Sequence, residues 1–297
     1  MRETFLQIMP LATAHPVSFD QARSIVVFYG LLVLAGLLVN LLILSRMSRH
    51  ARAWDWKVRR LEQRPWKWLD LAHILLLIVG IHGVLLIVSY VLGLMGWADV
   101  MRERGILFVG HSVAMHWAPL VFLVILIRLR GVSWRAAFEA YDAGGLKRLV
   151  QGIAGYMAVI PAIFFYMLLY QAWLSYTGHE PTPQDVVRLF MDMEPGVFRV
   201  YMVLLAVLLA PIVEEVVFRG VALPVFARFW GPAPAIILVS AAFALLHGHL
   251  PSMVPLFIFG IGLSLAYIHT ESIAVPVIMH ILFNGVTLGI MMYLGYV

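Results

Sequence analysis

Eight runs of predominantly apolar residues divide the chain, near 24–44, 71–95, 106–127, 149–173, 197–227, 233–249, 252–268 and 272–296, each bounded by polar or basic positions. A helix needs about 20 such residues to cross the hydrocarbon core of a bilayer, so each run predicts a spanning helix. The runs are continuous and do not alternate, which argues against a β-barrel. The expected fold is therefore all-α, a polytopic transmembrane bundle of about eight spans. The fifth run is the longest, and Pro211 within it is a natural kink site.

The polar intervals predict orientation. The stretch at 45–70 carries eight Lys/Arg (Arg46, Arg49, Arg52, Lys57, Arg59, Arg60, Arg64 and Lys67) and the stretch at 128–148 carries five, so both are expected in the cytoplasm. The interval at 98–105 is balanced, and the one at 174–196 sets Glu180, Asp185, Asp192 and Glu194 against Arg188, so these belong on the other side together with both termini. In a bacterium this membrane would be the cell membrane. Trp54, Trp56, Trp66 and Trp68 beside the first basic stretch, and Trp97 and Trp173 on the opposite face, are expected as interface anchors.

The stretch at 174–196, with Pro181, Pro183 and Pro195, leaves room for a short amphipathic helix. It also divides an N-terminal four-helix membrane region, 1–196, from a region at 197–297 that holds the candidate chemistry. Near the start, Phe5 to Leu11 and then Ala12-Thr13-Ala14 have the outline of a signal peptide. Gln7 and Pro10 interrupt an apolar stretch already short for one, so cleavage is not expected.

Composition narrows the chemistry. Hydrophobic residues make up 62% and charged residues 12%, with a mean hydropathy of +0.92. There is no cysteine, which removes disulfides, thiolate metal sites and cysteine nucleophiles. The net charge of +5 sits mainly in the two basic stretches and is explained by membrane topology without nucleic acid.

Against this background Glu214-Glu215-Val216-Val217-Phe218-Arg219 stands out, because two carboxylates and a guanidinium lie inside an apolar run. Three ionisable groups at bilayer depth cost about 8–10 kcal/mol on the insertion scale, and the Leu, Ile and Val of 200–213 return only about 3–5 kcal/mol. Partners from other helices or a water-filled cavity must supply the rest, and polar groups so placed mark a functional site. Two other runs carry polar groups of the same kind, His247 following Phe243 by four, and His280 preceding Asn284 by four. The four-residue spacings put Glu215 with Arg219, and His280 with Asn284, on single helix faces. If the fifth and sixth helices turn around Arg228 to Gly231, Glu214 and His247 each lie about 20 Å inward and can face each other. His280 lies about 12 Å into the eighth helix.

Glu-Glu-x-x-x-Arg at 214–219, Phe-x-x-x-His at 243–247 and His-x-x-x-Asn at 280–284, in this order on successive apolar helices, resemble the three motifs of the CPBP family of intramembrane endopeptidases, relatives of the type II CAAX prenyl protease. The resemblance covers roughly 197–297, and His249 is an extra polar group beyond the second motif. It implies hydrolysis of a peptide bond in a membrane-associated or lipidated peptide or protein, with the bilayer as surroundings. Glu214 and His247 would activate water, His280 and Asn284 would polarise the scissile carbonyl and hold the oxyanion, and Arg219 would pair with Glu215. The family has been described both as metal-dependent and as metal-independent glutamate proteases, and both stay open here. Glu214, His247 and His280 would be the ligands if zinc is used, although no His-Glu-x-x-His helix is present. Prenylated proteins, bacteriocin precursors, pheromones and sorting tails are all open as substrates.

Two rival classes make different demands. A non-catalytic immunity or peptide-binding membrane protein would not need Glu214 or His247. A proton or metal transporter would draw on His73, His82, His111 and His116 of the second and third runs, but the paired halves typical of that class are not found. Interhelical hydrogen bonding is the expected role of those four histidines.

Overall fold

A computed structural model describes residues 18–47, 51–97, 106–139, 144–179 and 196–294. The signal-like segment, the interval at 98–105 and residues 180–195, the greater part of the 174–196 stretch with room for an amphipathic helix, lie outside the described residues. Ten helices account for nearly all of the rest: α1 Phe19–Met47, α2 Ala51–Glu62, α3 Trp68–Leu94, α4 Ile106–Leu129, α5 Trp134–Phe138, α6 Gly145–Thr177, α7 Val197–Trp230, α8 Pro232–Leu246, α9 Leu250–Thr270 and α10 Ala274–Tyr293. Seven of them, α1, α3, α4, α6, α7, α9 and α10, are long and apolar enough to cross a membrane. The protein is thus an integral, multi-pass helical bundle.

The sixth expected span, 233–249, departs from expectation. α8 has 15 residues, which at 1.5 Å each reach about 22 Å, short of a hydrocarbon core about 30 Å thick. It stops at Leu246, with His247 as its cap, and does not continue to 249. Gly248 takes φ +65 and its N–H bonds to the Leu245 carbonyl, so the chain turns there, and Pro251 in the first turn of α9 fits the new start. His247 is therefore placed at a helix end, not within a span.

The ends of α1, α4, α7 and α9 and the starts of α3, α6, α8 and α10 share one face, and there the basic stretches are ordered into a polar collar. Arg228 donates to the carbonyls of Glu62, Arg64 and Trp66, and Arg64 to those of Ala136 and Glu271. Glu139 and Ser272 form an isolated antiparallel bridge. Trp66 is only 1% exposed, donates to the Ala137 carbonyl and packs on Phe138, so it is a core residue and not an interface anchor. Trp56, Trp68, Trp97 and Trp173 are exposed as anchors should be. α2 lies within the first basic stretch; its Trp54 packs against the core beside Val58 and Leu61, while Arg59 and Arg60 end its polar side.

Asp70 is the deepest acid of the collar. It accepts Arg130 at both carboxylate oxygens and the Lys67 N–H at 2.8 Å, which closes the first turn of α3 and ties it to the end of α4. The hydrogen bond from Arg130 to Asp70 holds the guanidinium above its ordinary range. Losing one member of a buried pair costs about 3–5 kcal/mol, and Arg130, whose side chain is 32% exposed, regains some water. Asp70→Ala is expected to lower unfolding stability by about 2–3 kcal/mol, read as a drop in thermal midpoint in detergent. An unchanged midpoint would mean the pair holds nothing together.

Among the described residues, two large clusters make most of the core, with a small third around Met202 and Leu205. One lies under the collar, around Trp66, Phe138, Leu223 and Tyr267; the other lies deeper, around Tyr156, Phe243, Phe259 and Met279. α6 reaches the second cluster by close approach to α10. A Cβ at Gly152 would lie 2.5 Å from the Ile278 side chain, and one at Gly155 would lie 2.6 Å from the Met279 sulfur. The absence of side chains there lets α6 press on the turn that carries His280.

Candidate active site

The site begins with the backbone of α7. A proline lacks the N–H that an α-helix bonds to the carbonyl four residues back, and its ring crowds that carbonyl. At both prolines of α7 the helix has widened to π geometry just upstream, over Leu205–Leu209 before Pro211 and over Val216–Ala222 before Pro224. Ala210 N–H bonds to Leu205 O and Leu223 N–H to Phe218 O, each five residues back. In that register the donors for the Ala206 and Arg219 carbonyls would be Pro211 and Pro224, which have none. Asn284 of α10 donates its side-chain Nδ2 to the Ala206 carbonyl at 2.8 Å. The kink expected at Pro211 is thus a widened turn whose orphaned carbonyl locks α10 onto α7, and such bulges often mark functional sites.

Between the two π stretches, Ala210–Glu215 is α-helical and presents the adjacent carboxylates to different surroundings. Glu215 is fully buried, and its Oε1 accepts from Arg219 Nη1 at 2.8 Å and from His280 Nδ1 at 2.8 Å. The Arg219 pair is the one the four-residue spacing predicts; the His280 bond joins residues 65 apart in the chain and has no counterpart in any spacing. Because a carboxylate can only accept here, the hydrogen lies on His280 Nδ1, and Nε2 is left as the other ring position. That Nε2 is 3.9 Å from Glu214 Oε2. Glu214 keeps a side chain 26% exposed, yet its Oε2 is buried and accepts no hydrogen bond.

Arg219 is also fully buried. Its Nη2 donates to the Gly260 carbonyl of α9 at 3.3 Å, and its guanidinium lies 4.5 Å from the centre of the Phe243 ring. Phe243 makes edge contacts with the His247 and His280 rings at 4.8 and 5.6 Å. It is the hub that joins the three motifs, a role its place in a sequence motif could not reveal. His247 Nδ1 lies 2.7 Å from the Phe243 carbonyl; the carbonyl can only accept, so the hydrogen is on Nδ1 and Nε2 is left open.

The constellation is graded from dry to exposed. His280 is 2% exposed, whereas His247 is exposed at the end of α8 among Leu245, Leu246 and Leu250, themselves 58%, 75% and 78% exposed. His249 caps α9 and its Nδ1 is 2.8 Å from Ser252 Oγ. Among the described residues no group of three or more His, Asp or Glu stands close enough to hold a metal ion. Glu214 and His280 approach one another, but His247 does not complete a zinc cage with them.

The histidines of the first four helices are scattered by comparison. His82 and His111 meet edge to face across α3 and α4 at 5.4 Å, and His73 lies against Phe122. His116 bonds to the Ser112 carbonyl of its own helix, and it is Ser112 Oγ that reaches α7, at Tyr201 OH, 3.1 Å away.

Residues 196–286 match the family model described as type II CAAX prenyl endopeptidase Rce1-like, consistent with the CPBP family. The match encloses Glu214, Glu215, Arg219, His247, His280 and Asn284. It suggests protease activity of the CAAX type, hence a peptide substrate met in a lipid environment. No curated protein and no solved structure matches the chain.

Proposed function

We propose that this multi-pass protein, with an Rce1-like segment at 196–286, is an intramembrane endopeptidase that hydrolyses a peptide bond of a membrane-associated or lipidated substrate, with the chemistry in 197–297 and residues 1–196 as its scaffold. The observation that carries this reading is the Glu214 Oε2, buried and without a hydrogen-bond partner, 3.9 Å from an imidazole whose tautomer Glu215 fixes. That separation is too long for a hydrogen bond and suits a water held between the two groups.

Peptide hydrolysis needs a base for the attacking water, donors for the oxyanion and an acid for the leaving amine. Glu214 takes the water's proton as oxygen attacks the scissile carbonyl, and returns it to the amine as the C–N bond breaks. His247, with Nε2 open at the mouth of the site, assists the base or meets the leaving group. His280 and Asn284 serve the oxyanion. Asn284 has one amide hydrogen committed to Ala206 and a second to offer. Protonated His280 would donate from Nε2 while Glu215 balances its charge. Arg219 holds the Glu215 carboxylate in place through Oε1, and that carboxylate orients His280.

Substrate access fits the same gradient, because the exposed leucines around His247 give an apolar approach from the bilayer to the exposed end of the site. The decisive experiment compares membrane peptides from cells carrying the parental protein with those carrying Glu214→Gln. A peptide that accumulates uncleaved in the variant identifies the substrate; identical profiles would favour a peptide-binding protein that does not cut. The collar face is proposed to be cytoplasmic. Gln63→Cys, on an exposed position of that face, should react with an impermeant thiol reagent only after the membrane is opened, and labelling of intact cells would reverse the orientation.

A further inference from the structure

Between α2, α5 and the α9–α10 turn the collar leaves an open groove of about 360 Å³, lined by Arg60, Gln63, Arg64, Ser133, Arg135 and Glu139 together with Ala136. The proteolytic reading makes no use of it. Three guanidiniums and one carboxylate line it; that carboxylate, Glu139, is paired with Arg148 at 3.1 Å, and a second carboxylate beside the groove, Glu271, pairs with Arg60, so the cationic groups still outnumber the acids.

The cationic groups are held in place. Arg64 is 7% exposed, with Nη1 and Nη2 on the carbonyls of Ala136 and Glu271 at 3.2 and 3.5 Å, and its buried Nε has no hydrogen-bond partner. Carbonyls accept hydrogen bonds but carry no net charge, so the charge of a nearly buried guanidinium borders the groove without a carboxylate hydrogen-bonded to it. Arg60 bonds Glu271 at 3.3 Å and stacks on Trp56 at 4.5 Å, which fixes its plane. Gln63 and Ser133 add an amide and a hydroxyl. A fork of guanidiniums with neutral donors beside it is the chemistry that recognises phosphate oxygens.

Position supplies the source of the ligand: the groove lies at the level where four spans end and four helices begin, beside the amphipathic α2 with its Trp56 exposed and near the start of α3, where Trp68 is exposed. That is the depth of lipid headgroups, and basic pockets between helix ends take anionic ones. We infer that this groove is a binding site for a phosphate-bearing anion, supplied by the membrane as the headgroup of an acidic phospholipid. The volume suits a phosphate with its glycerol, near the lower bound of small-molecule sites.

The test is scintillation-proximity binding of tritiated dioctanoyl phosphatidylglycerol to the full chain in neutral detergent. Saturable binding is expected, at least about tenfold tighter than to dioctanoyl phosphatidylcholine. Arg60→Gln with Arg135→Gln should weaken it by about tenfold or more. Gln63→Glu, which removes none of the collar's bonds and sets a carboxylate in the groove, should weaken it severalfold, and it stands if the double variant fails to fold. Arg23→Gln, at the start of α1, should bind as the parent does. Displacement by millimolar sodium phosphate would support the site while naming free phosphate as a sufficient occupant; displacement only by the lipid would name the headgroup. Equal binding of phosphatidylcholine, or binding within twofold of parental in Gln63→Glu, would overturn the inference.

Discussion

Glu214→Gln is expected to remove cleavage while leaving the protein folded. The two adjacent glutamates differ in what they hold. Glu215 supports Arg219 and His280 through one oxygen, whereas Glu214 makes no hydrogen bond through Oε2, which stands 3.9 Å from His280 Nε2. Glutamine at 214 therefore breaks no structural bond, keeps the size of the side chain and removes the proton acceptor. Loss of a general base should lower the single-turnover rate about 10²-fold or more, with a thermal midpoint close to parental. Cleavage of the accumulated peptide at the parental rate would take Glu214 out of the mechanism. A large fall in midpoint would instead mean that the second carboxylate is structural as well.

The spans and the six polar residues are visible in the sequence because each depends on local composition: apolar runs of spanning length, and charges that a bilayer tolerates only in partnership. Four-residue spacing even pairs Glu215 with Arg219 correctly. Contacts decided by how helices pack leave no such trace. The bond from His280 to Glu215 depends on α10 lying against α7, while Gly152 and Gly155 admit α6 on the turn of α10 that carries His280. Trp66 reads as a membrane anchor because its neighbours are basic, yet the carbonyl of Ala137 and the ring of Phe138 draw it inside. Two departures have local signals. Gly248 and Pro251 mark the early end of α8, and Pro211 and Pro224 each mark a carbonyl that a widened helix would orphan. The collar reads as loops because its charges dominate; the apolar face of α2, Trp54, Val58 and Leu61, is short but sufficient to dock.

Arg219 offers the sharpest separation between a protease and a passive bundle. Arg219→Met alone leaves the Glu215 carboxylate buried without its strongest partner, and should cost about 3–5 kcal/mol of stability. Combining it with Glu215→Gln removes both charges from a site where each side chain is 0% exposed, and should recover most of that loss, since a buried ion pair can be exchanged for uncharged groups of similar volume. The neighbours allow it: the amide oxygen introduced by Glu215→Gln can still accept from His280 Nδ1, and the Gly260 carbonyl still receives Ser264 Oγ at 2.9 Å. Catalysis should not recover. A neutral amide neither balances a protonated imidazole nor holds it as firmly, and the guanidinium that spans Glu215, Phe243 and the Gly260 carbonyl is gone. Placement errors near 1 Å cost on the order of 10²-fold in rate, so the double variant should melt near the parental temperature and cleave about 10²-fold more slowly. A bundle that only binds peptide would keep its affinity in the same variant. Near-parental cleavage would reduce Arg219 to a counter-ion and leave the orientation of His280 to packing alone.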